Sequence, residues 1–296
     1  MSRALNHRIL LQIVILVAAS GFVLAKLLAV RDLHVGWPGV SAVFVAALVP
    51  VNLGLEVIKW RRLTDRPWGE AWRDVLAGAA AGFVSPNRTG DGVARVIRLP
   101  RSRRERGARA AMNGAAAQGW VTLAGGGLGL LVLGESMAGA VVCGLAAGGL
   151  GVLLFWSPRL RREPRGRWMK RAVDWVSAHV AQDARGPIPA WRRLEVIGWS
   201  ALRYAVFTGQ YVWMLQAFGV ARRAAAVSVV WLVNAAVPTG ALAEFGVREA
   251  SALAVMQPAE EAVAGVVAAT FALWTLNLLL PGLLGIRYLR AGDGNE

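Results

Sequence analysis

Apolar residues fall along this chain in long blocks, not in the two-residue alternation of a half-buried strand. Six blocks each approach the roughly 20 residues that cross a bilayer core as a helix: residues 9–30, 37–58, 110–133, 137–156, 196–218 and 262–286. Block 9–30 is too long for the apolar region of a cleavable signal peptide, and no small-residue cleavage site follows it. It is therefore predicted as a span. Two further apolar stretches, 75–84 and 227–237, are too short to cross. The first runs into Ser85-Pro86-Asn87-Arg88-Thr89-Gly90-Asp91, and the second into Pro238-Thr239-Gly240-Ala241-Leu242-Ala243-Glu244. Each then resumes as a semi-apolar helical stretch.

Composition agrees with a membrane protein. Of 296 residues 56% are hydrophobic, yet 33 are basic and 18 acidic, a net charge of +15. Such values coexist when charge and apolar surface are segregated along the chain, as in a polytopic membrane protein with basic loops. Soluble enzymes, coiled coils and disordered chains are set aside on this ground. Thirty of the basic residues are Arg, which with heavy Ala and Gly usage reads as GC-rich codon usage. The single cysteine, Cys143, excludes intramolecular disulfides and Cys-based metal clusters. His7, His34 and His179 are too far apart in sequence to suggest a metal site. No cofactor is expected. The positive charge lies beside spans, so its expected partners are anionic lipids at the cytoplasmic face and not nucleic acid.

Charge placement predicts the topology. Twenty-five of the 33 basic residues cluster at the N-terminus, at 59–73, 98–109 and 159–193, and at Arg287 and Arg290. The positive-inside rule makes these segments, and both termini, cytoplasmic. Segments 59–73 and 98–109 then share a side, so 75–97 must enter the membrane and return as a re-entrant hairpin. The same logic makes 227–256 a hairpin from the outside; Arg222 and Arg223 run against this assignment. The predicted fold is all-α: six transmembrane helices plus two re-entrant helical hairpins in an inverted repeat, about 1–134 and 135–290. Broken helices in inverted repeats are typical of transporters. A weak echo, Asp91-Gly92-Val93 with Arg95 against Glu244-Phe245-Gly246-Val247 with Arg248, fits the repeat.

Charges in the hydrocarbon core are costly and normally face a cavity or a partner. Here they are Glu56, Arg88, Asp91, Arg95, Arg203, Glu244, Arg248 and Glu249, with Asn52, Asn87, Asn234 and Thr239 nearby. Ser85-Pro86 is a good helix start, with Ser able to cap and Pro fitted to the first position. Helix N-termini inside the membrane would then offer free N–H groups to an anion. Pro238, Thr239 and Gly240 would do the same from the other side. The predicted site is a midplane pocket for a charged headgroup: Arg88, Arg95, Arg203 and Arg248 on phosphate, with Asp91, Glu244 and Glu249 balancing them or binding an amine or proton. Ser85, Pro86, Asn87, Thr89 and Gly90 form one tip, and Pro238, Thr239 and Gly240 the other. The structural alternative is internal pairing of Asp91 with Arg95 and of Glu244 with Arg248, each at i,i+4.

Other features are plainer. Gly125-Gly126-Gly127 with Gly129 lacks the Lys of a phosphate loop and reads as close helix packing. Trp37, Trp60, Trp72, Trp156 and Trp199 fall at predicted span ends, as an aromatic belt would. Within the basic loop 157–195, residues 165–182 have the spacing of an interfacial amphipathic helix. No catalytic constellation is present in the sequence, and no enzymatic activity is expected.

The segment from Ser85 to Arg95 resembles the P-x-R-x-G-E-x-x-R motif of the lysylphosphatidylglycerol synthase transmembrane, flippase-like family. Phe245-Gly246-Val247-Arg248-Glu249-Ala250 resembles that family's G-x-R-E motif. The resemblance spans nearly the whole chain. It implies a multi-pass protein of a bacterial or archaeal plasma membrane. Its best-understood members move aminoacylated phosphatidylglycerol between leaflets, and others accompany glycolipid or polyprenyl-phosphate pathways. The motif residues here are Arg88, Asp91, Arg95, Arg248 and Glu249; Asp91 replaces the commoner Glu, and 241–244 departs from the usual Gly-rich stretch. Nothing in the chain resembles the aminoacyl-transferase domain of the large members, so lysyl-lipid synthesis is not expected. The expected function is binding and translocation of a phospholipid or lipid-linked headgroup. The alternative is a non-transporting membrane partner of a lipid-modifying enzyme or glycosyltransferase.

Overall fold

A computed structural model describes residues 17–29, 39–85, 88–155, 188–221, 224–237 and 241–289, without the side chains of 155 and 241–245. Segment 165–182, Arg222, Arg223, Pro86, Asn87, Pro238, Thr239 and Gly240 lie outside the described residues, as does the Glu244 side chain. Among the described residues all regular elements are helices. They are α1 (Val17–Leu28), α2 (Gly39–Thr64), α3 (Trp68–Val84), α4 (Thr89–Ile97), α5 (Arg104–Val132), α6 (Ser136–Phe155), α7 (Ala190–Ala217), α8 (Ala224–Ala236), α9 (Ala241–Met256), α10 (Glu260–Trp274) and α11 (Leu280–Gly285).

Four stretches are long and apolar enough to cross a membrane: Gly39–Thr64, Arg101–Val132, Ser136–Leu154 and Glu260–Tyr288. Their outward faces carry large apolar side chains such as Val40, Val43, Val132, Met137 and Leu145. An apolar exterior around buried charge is consistent with a helical membrane protein. The sequence predicts six spans. Helix α7 is long enough at 28 residues, but Arg193, Ser200 and Gln210 are buried on its inner face, and they dilute its hydropathy. The described part of 9–30 is the 12-residue apolar helix Val17–Leu28, shorter than a span.

The helix directions follow from contacts at their ends. The C-terminal carbonyls of a helix lack partners and carry its negative dipole end, so an Arg fork is a good cap there. Arg106 donates to the Leu63 carbonyl at the end of α2 (2.9 Å), and Arg104 to the Ile97 carbonyl at the end of α4 (3.1 Å). Arg193 donates to the Leu154 carbonyl at the end of α6 (3.2 Å), and Arg98 to the Tyr288 carbonyl at the end of the last rod (2.7 Å). One basic face therefore collects these four helix ends with the starts of α3, α5 and α7. At the other face, α5 and α7 close with glycine-capped turns. Gly134 and Gly219 take the left-handed conformation there (φ 90° and 76°), which L side chains rarely adopt.

Both outer ends of the α3–α4 hairpin lie on the basic face, where Arg66 before α3 donates to the Arg98 carbonyl after α4 (3.3 Å). The α8–α9 hairpin packs at the other end of the molecule. Two apolar cores match this division. Val57, Trp60, Leu63, Ala71 and Val75 pack with Val196 and Ile197 near the basic face. Val45, Tyr211, Met214, Val230, Leu253 and Val266 pack at the far end. Helices α2 and α7 run antiparallel through both. The last rod passes from α10 to α11 through a π-turn, Thr275–Leu279. Pro281 has no N–H to offer the carbonyl four residues back, which favours such a local widening.

Three sequence expectations need correction. Lys59 belongs to the interior and not to a cytoplasmic loop: it is only 2% exposed and pairs with Glu56 at 2.8 Å. Trp60 is buried and donates its indole N–H to Asp74 (3.1 Å), so it is no membrane-belt residue. Residues 190–195, predicted as loop, are the first turns of α7.

Candidate functional site

The α3–α4 hairpin is built on small residues. A Cβ on Gly90 would lie 2.5 Å from the Ala81 carbonyl oxygen, and one on Gly82 would lie 3.1 Å from Cβ of Asp91. This close approach lets the short α4 bring its polar face against α2. The sequence predicts a helix start at Ser85-Pro86, but α4 starts at Thr89, with Arg88 left-handed (φ 54°) as its N-cap. Ser85 instead ends α3, and its hydroxyl accepts the Gly90 N–H across the turn (2.8 Å). It caps the helix, as its residue type predicts, from five positions away.

A single carboxylate organises the site. Glu56 on α2 accepts an ion pair from Lys59 one turn on (2.8 Å), from Arg95 of α4 (2.9 Å) and from Arg203 of α7 at the looser distance of 3.5 Å. Arg95 also grips Asp91 with a bidentate fork, Nε to Oδ1 at 2.7 Å and Nη2 to Oδ2 at 2.8 Å. Such forks are the strongest Arg–carboxylate geometry. Gln118 of α5 accepts from Lys59 (3.4 Å) and Arg203 (3.3 Å), and Ser200 accepts from Lys59 (3.3 Å). The Arg95 guanidinium lies over the Trp60 ring, 5.7 Å from its centroid. Asn52 donates to Asn277 in the π-turn (2.9 Å), which fixes the last rod against α2.

Of these, Glu56, Lys59, Trp60, Asp91, Arg95, Gln118, Arg203 and Asn277 line a cavity of about 510 Å³, together with Arg88, Thr89 and apolar side chains of α2, α3 and α5. Its charged lining is Lys59, Arg88, Arg95 and Arg203 against Glu56 and Asp91. Among the described residues no carboxylate or other side chain partners the Arg88 guanidinium. Arg203 Nε is buried without a hydrogen bond, since Glu56 stands at ion-pair distance only. Among the described residues no group of three or more His, Cys, Asp or Glu is placed to hold a metal.

Of the predicted site residues, Arg88, Thr89, Asp91, Arg95 and Arg203 meet at this cavity, and Ser85 and Gly90 build its hairpin turn. The predicted Asp91–Arg95 pair is present; Glu244 to Arg248 falls on an undescribed side chain. Arg248 and Glu249 do not line the cavity. Glu249 is buried in α9 and accepts the Gly246 N–H (2.7 Å). Gly246 is left-handed (φ 89°) within α9, and Glu249 accepts its N–H as the third residue of a capping box accepts that of the N-cap. Sequence reasoning missed Lys59, Gln118 and Asn277 as lining residues. The signals were available: a Glu-x-x-Lys pair inside an apolar helix, a Gln inside an apolar run, and an Asn four residues before Pro281.

Comparison with protein-family models finds no match to the chain, and comparison with curated proteins finds none either.

Packing at Gly78 supplies a test of the Asp91–Arg95 fork. A Cβ there would overlap Asp91 Oδ1 and lie 2.7 Å from Arg95 Nε. The overlapped atoms are side-chain ends, so Gly78→Ala should leave the helices standing and turn Asp91 away. The expected cost is about 1–3 kcal/mol, typical of overpacking, with at least a ~10-fold loss of the activity tested below, on the scale of one charge-assisted hydrogen bond. Full activity in Gly78→Ala would show that the fork is dispensable.

Proposed function

We propose that this chain is a flippase-like integral membrane protein that takes the phosphate-bearing headgroup of a lipid into the cavity and passes it between leaflets, the tails remaining in the bilayer. The observation that carries the reading is the cavity itself: cations in excess of carboxylates, enclosed by helices whose outer faces are apolar. Buried charge in such surroundings is expensive unless it serves a ligand or a path. Volumes of this order suit a small ligand of headgroup size.

The proposed topology has six crossings, α7 and the segment containing α1 being the two beyond the four apolar ones, with both hairpins re-entrant and the basic face and both termini cytoplasmic. Helix directions support an inverted repeat. Helix α2 runs to the basic face, a hairpin enters from that face, and α5 leaves it; α7 runs away, a hairpin enters from the far face, and α10 returns. The two hairpins share a local device, a left-handed residue followed three positions later by an acid: Arg88 to Asp91, and Gly246 to Glu249. This aligns Asp91 with Glu249, and not with Glu244 as the sequence echo suggests. The motif resemblance to the lysylphosphatidylglycerol synthase transmembrane family points the same way, and it implies a plasma-membrane location in a bacterium or archaeon.

Translocation of a fluorescent phospholipid in proteoliposomes tests the reading. Wild type should scramble or flip the lipid above the rate of empty vesicles, and Arg203→Ala should lower that rate at least ~10-fold, since it removes a charged contact from the path. Equal rates in wild-type and empty vesicles would overturn it.

A further inference from the structure

We propose that the cavity selects a lipid whose headgroup ends in a dianionic phosphomonoester, over phosphodiester lipids and over the aminoacylated lipids that the motif resemblance brings to mind. The inference rests on the headgroup-binding reading above and sharpens it.

Charge balance is the starting point. Among the described residues four cations and two carboxylates line one space, an excess of two positive charges. Net charge of that size in a cavity among apolar helices calls for an anion of matching charge. A phosphodiester supplies one negative charge. A terminal phosphomonoester supplies about two above its second pKa of roughly 6. A lysyl ester adds ammonium groups that outweigh its phosphodiester, so such a headgroup would enter against the field of Lys59, Arg88, Arg95 and Arg203.

Donor geometry agrees. Arg95 is spent on Asp91 and Glu56, and Lys59 on Glu56, Gln118 and Ser200. Among the described residues the Arg88 guanidinium, at α4's cap, has no side-chain partner, and Arg203 Nε on α7 has no hydrogen bond, only the loose 3.5 Å ion pair with Glu56. A phosphomonoester has three terminal oxygens to meet donors on two elements, whereas a phosphodiester has two. Glu56, drawn on by three cations at 2.8–3.5 Å, acts as a built-in counter-ion whose hold on Arg203 is the weakest and is the first contact an incoming phosphate takes over.

The test uses the full chain purified in an uncharged detergent at about pH 8, where the monoester is dianionic. Calorimetric titration compares dihexanoyl phosphatidic acid, dihexanoyl phosphatidylglycerol, dihexanoyl phosphatidylcholine, lysyl-phosphatidylglycerol and glycerol 3-phosphate. Phosphatidic acid should bind at least ~10-fold more tightly than phosphatidylglycerol, the low end for one added charge-assisted hydrogen bond, and phosphatidylcholine and the lysyl lipid more weakly still. Arg88→Gln breaks no ion pair among the described residues, and it should bring the phosphatidic acid to phosphatidylglycerol ratio close to one. Equal binding of these two lipids by wild type, or an unchanged ratio in Arg88→Gln, overturns the selectivity and leaves the headgroup reading standing. Tighter binding of the lysyl lipid overturns it in favour of an aminoacylated cargo. Glycerol 3-phosphate binding as tightly as phosphatidic acid overturns the lipid source, in favour of a soluble phosphate ester. No binding of any probe removes the headgroup reading and this inference together.

Discussion

Glu56→Ala should be among the most damaging single substitutions in the protein, lowering stability by about 3–5 kcal/mol, the cost of stripping one partner from a buried ion pair. The reason is convergence. Lys59 at 2.8 Å, Arg95 at 2.9 Å and Arg203 at 3.5 Å all rely on this carboxylate, and Lys59 and Arg95 are themselves buried. Without Glu56 the cavity would hold four cations against Asp91 alone. Thermal unfolding in detergent reads the loss directly. A double-mutant cycle separates pairing from packing: Lys59→Met in the Glu56→Ala background removes the stranded charge and should recover stability, with a coupling of roughly 1–3 kcal/mol. A midpoint for Glu56→Ala equal to wild type would mean that the cations are hydrated and that Glu56 is no counter-ion. A bound phosphomonoester should restore the midpoint of Glu56→Ala more than that of wild type, since it replaces the missing anion.

Much of this organisation was readable from the chain. Long apolar blocks mark the helices because a bilayer imposes a length on them, and Gly and Pro mark the breaks because neither sustains a helix interior. The Asp91–Arg95 pair follows from spacing alone. Lys59 was misassigned because a charge at the end of an apolar block looks the same whether it meets headgroups or turns inward. Only the packing of α7 and α5 against α2, with Ser200 and Gln118 facing Lys59, separates the two. Trp60 failed for a similar reason: an indole at a span end suits an interface, but Asp74 supplies a buried acceptor. The clusters of Arg were legible as a basic face and not as helix caps. Capping depends on which carbonyls the fold leaves open nearby, and Arg106 reaches Leu63 across 43 positions of sequence.

Asp74→Ala should match Glu56→Ala in stability and differ from it in function. Asp74 is fully buried, and its two oxygens accept from Trp60 (3.1 Å), Arg66 (3.1 Å) and Arg98 (2.9 Å). Arg66 continues to Glu70 (2.5 Å) and to the Arg98 carbonyl (3.3 Å), and Arg98 to the Tyr288 carbonyl (2.7 Å). One side chain thus ties the end of α2, the start of α3, the end of α4 and the end of the last rod. These are the points at which the hairpin is held to its base. Removing it takes the Asp74 carboxylate from two largely buried guanidinium groups and leaves Arg66 its pair with Glu70, at a cost of about 3–5 kcal/mol. Asp74→Asn keeps one acceptor oxygen and should lose less, about 1.5–3 kcal/mol, the worth of hydrogen bonds to charged groups. Asp74 does not line the cavity. Below the unfolding midpoint, Asp74→Asn should therefore retain the wild-type ratio of phosphatidic acid to phosphatidylglycerol binding while unfolding at lower temperature. If the ratio collapses along with the midpoint, the hairpin base and the cavity are one mechanical unit, and the ion pairs at the basic face set the geometry of the phosphate donors as well as the stability of the fold.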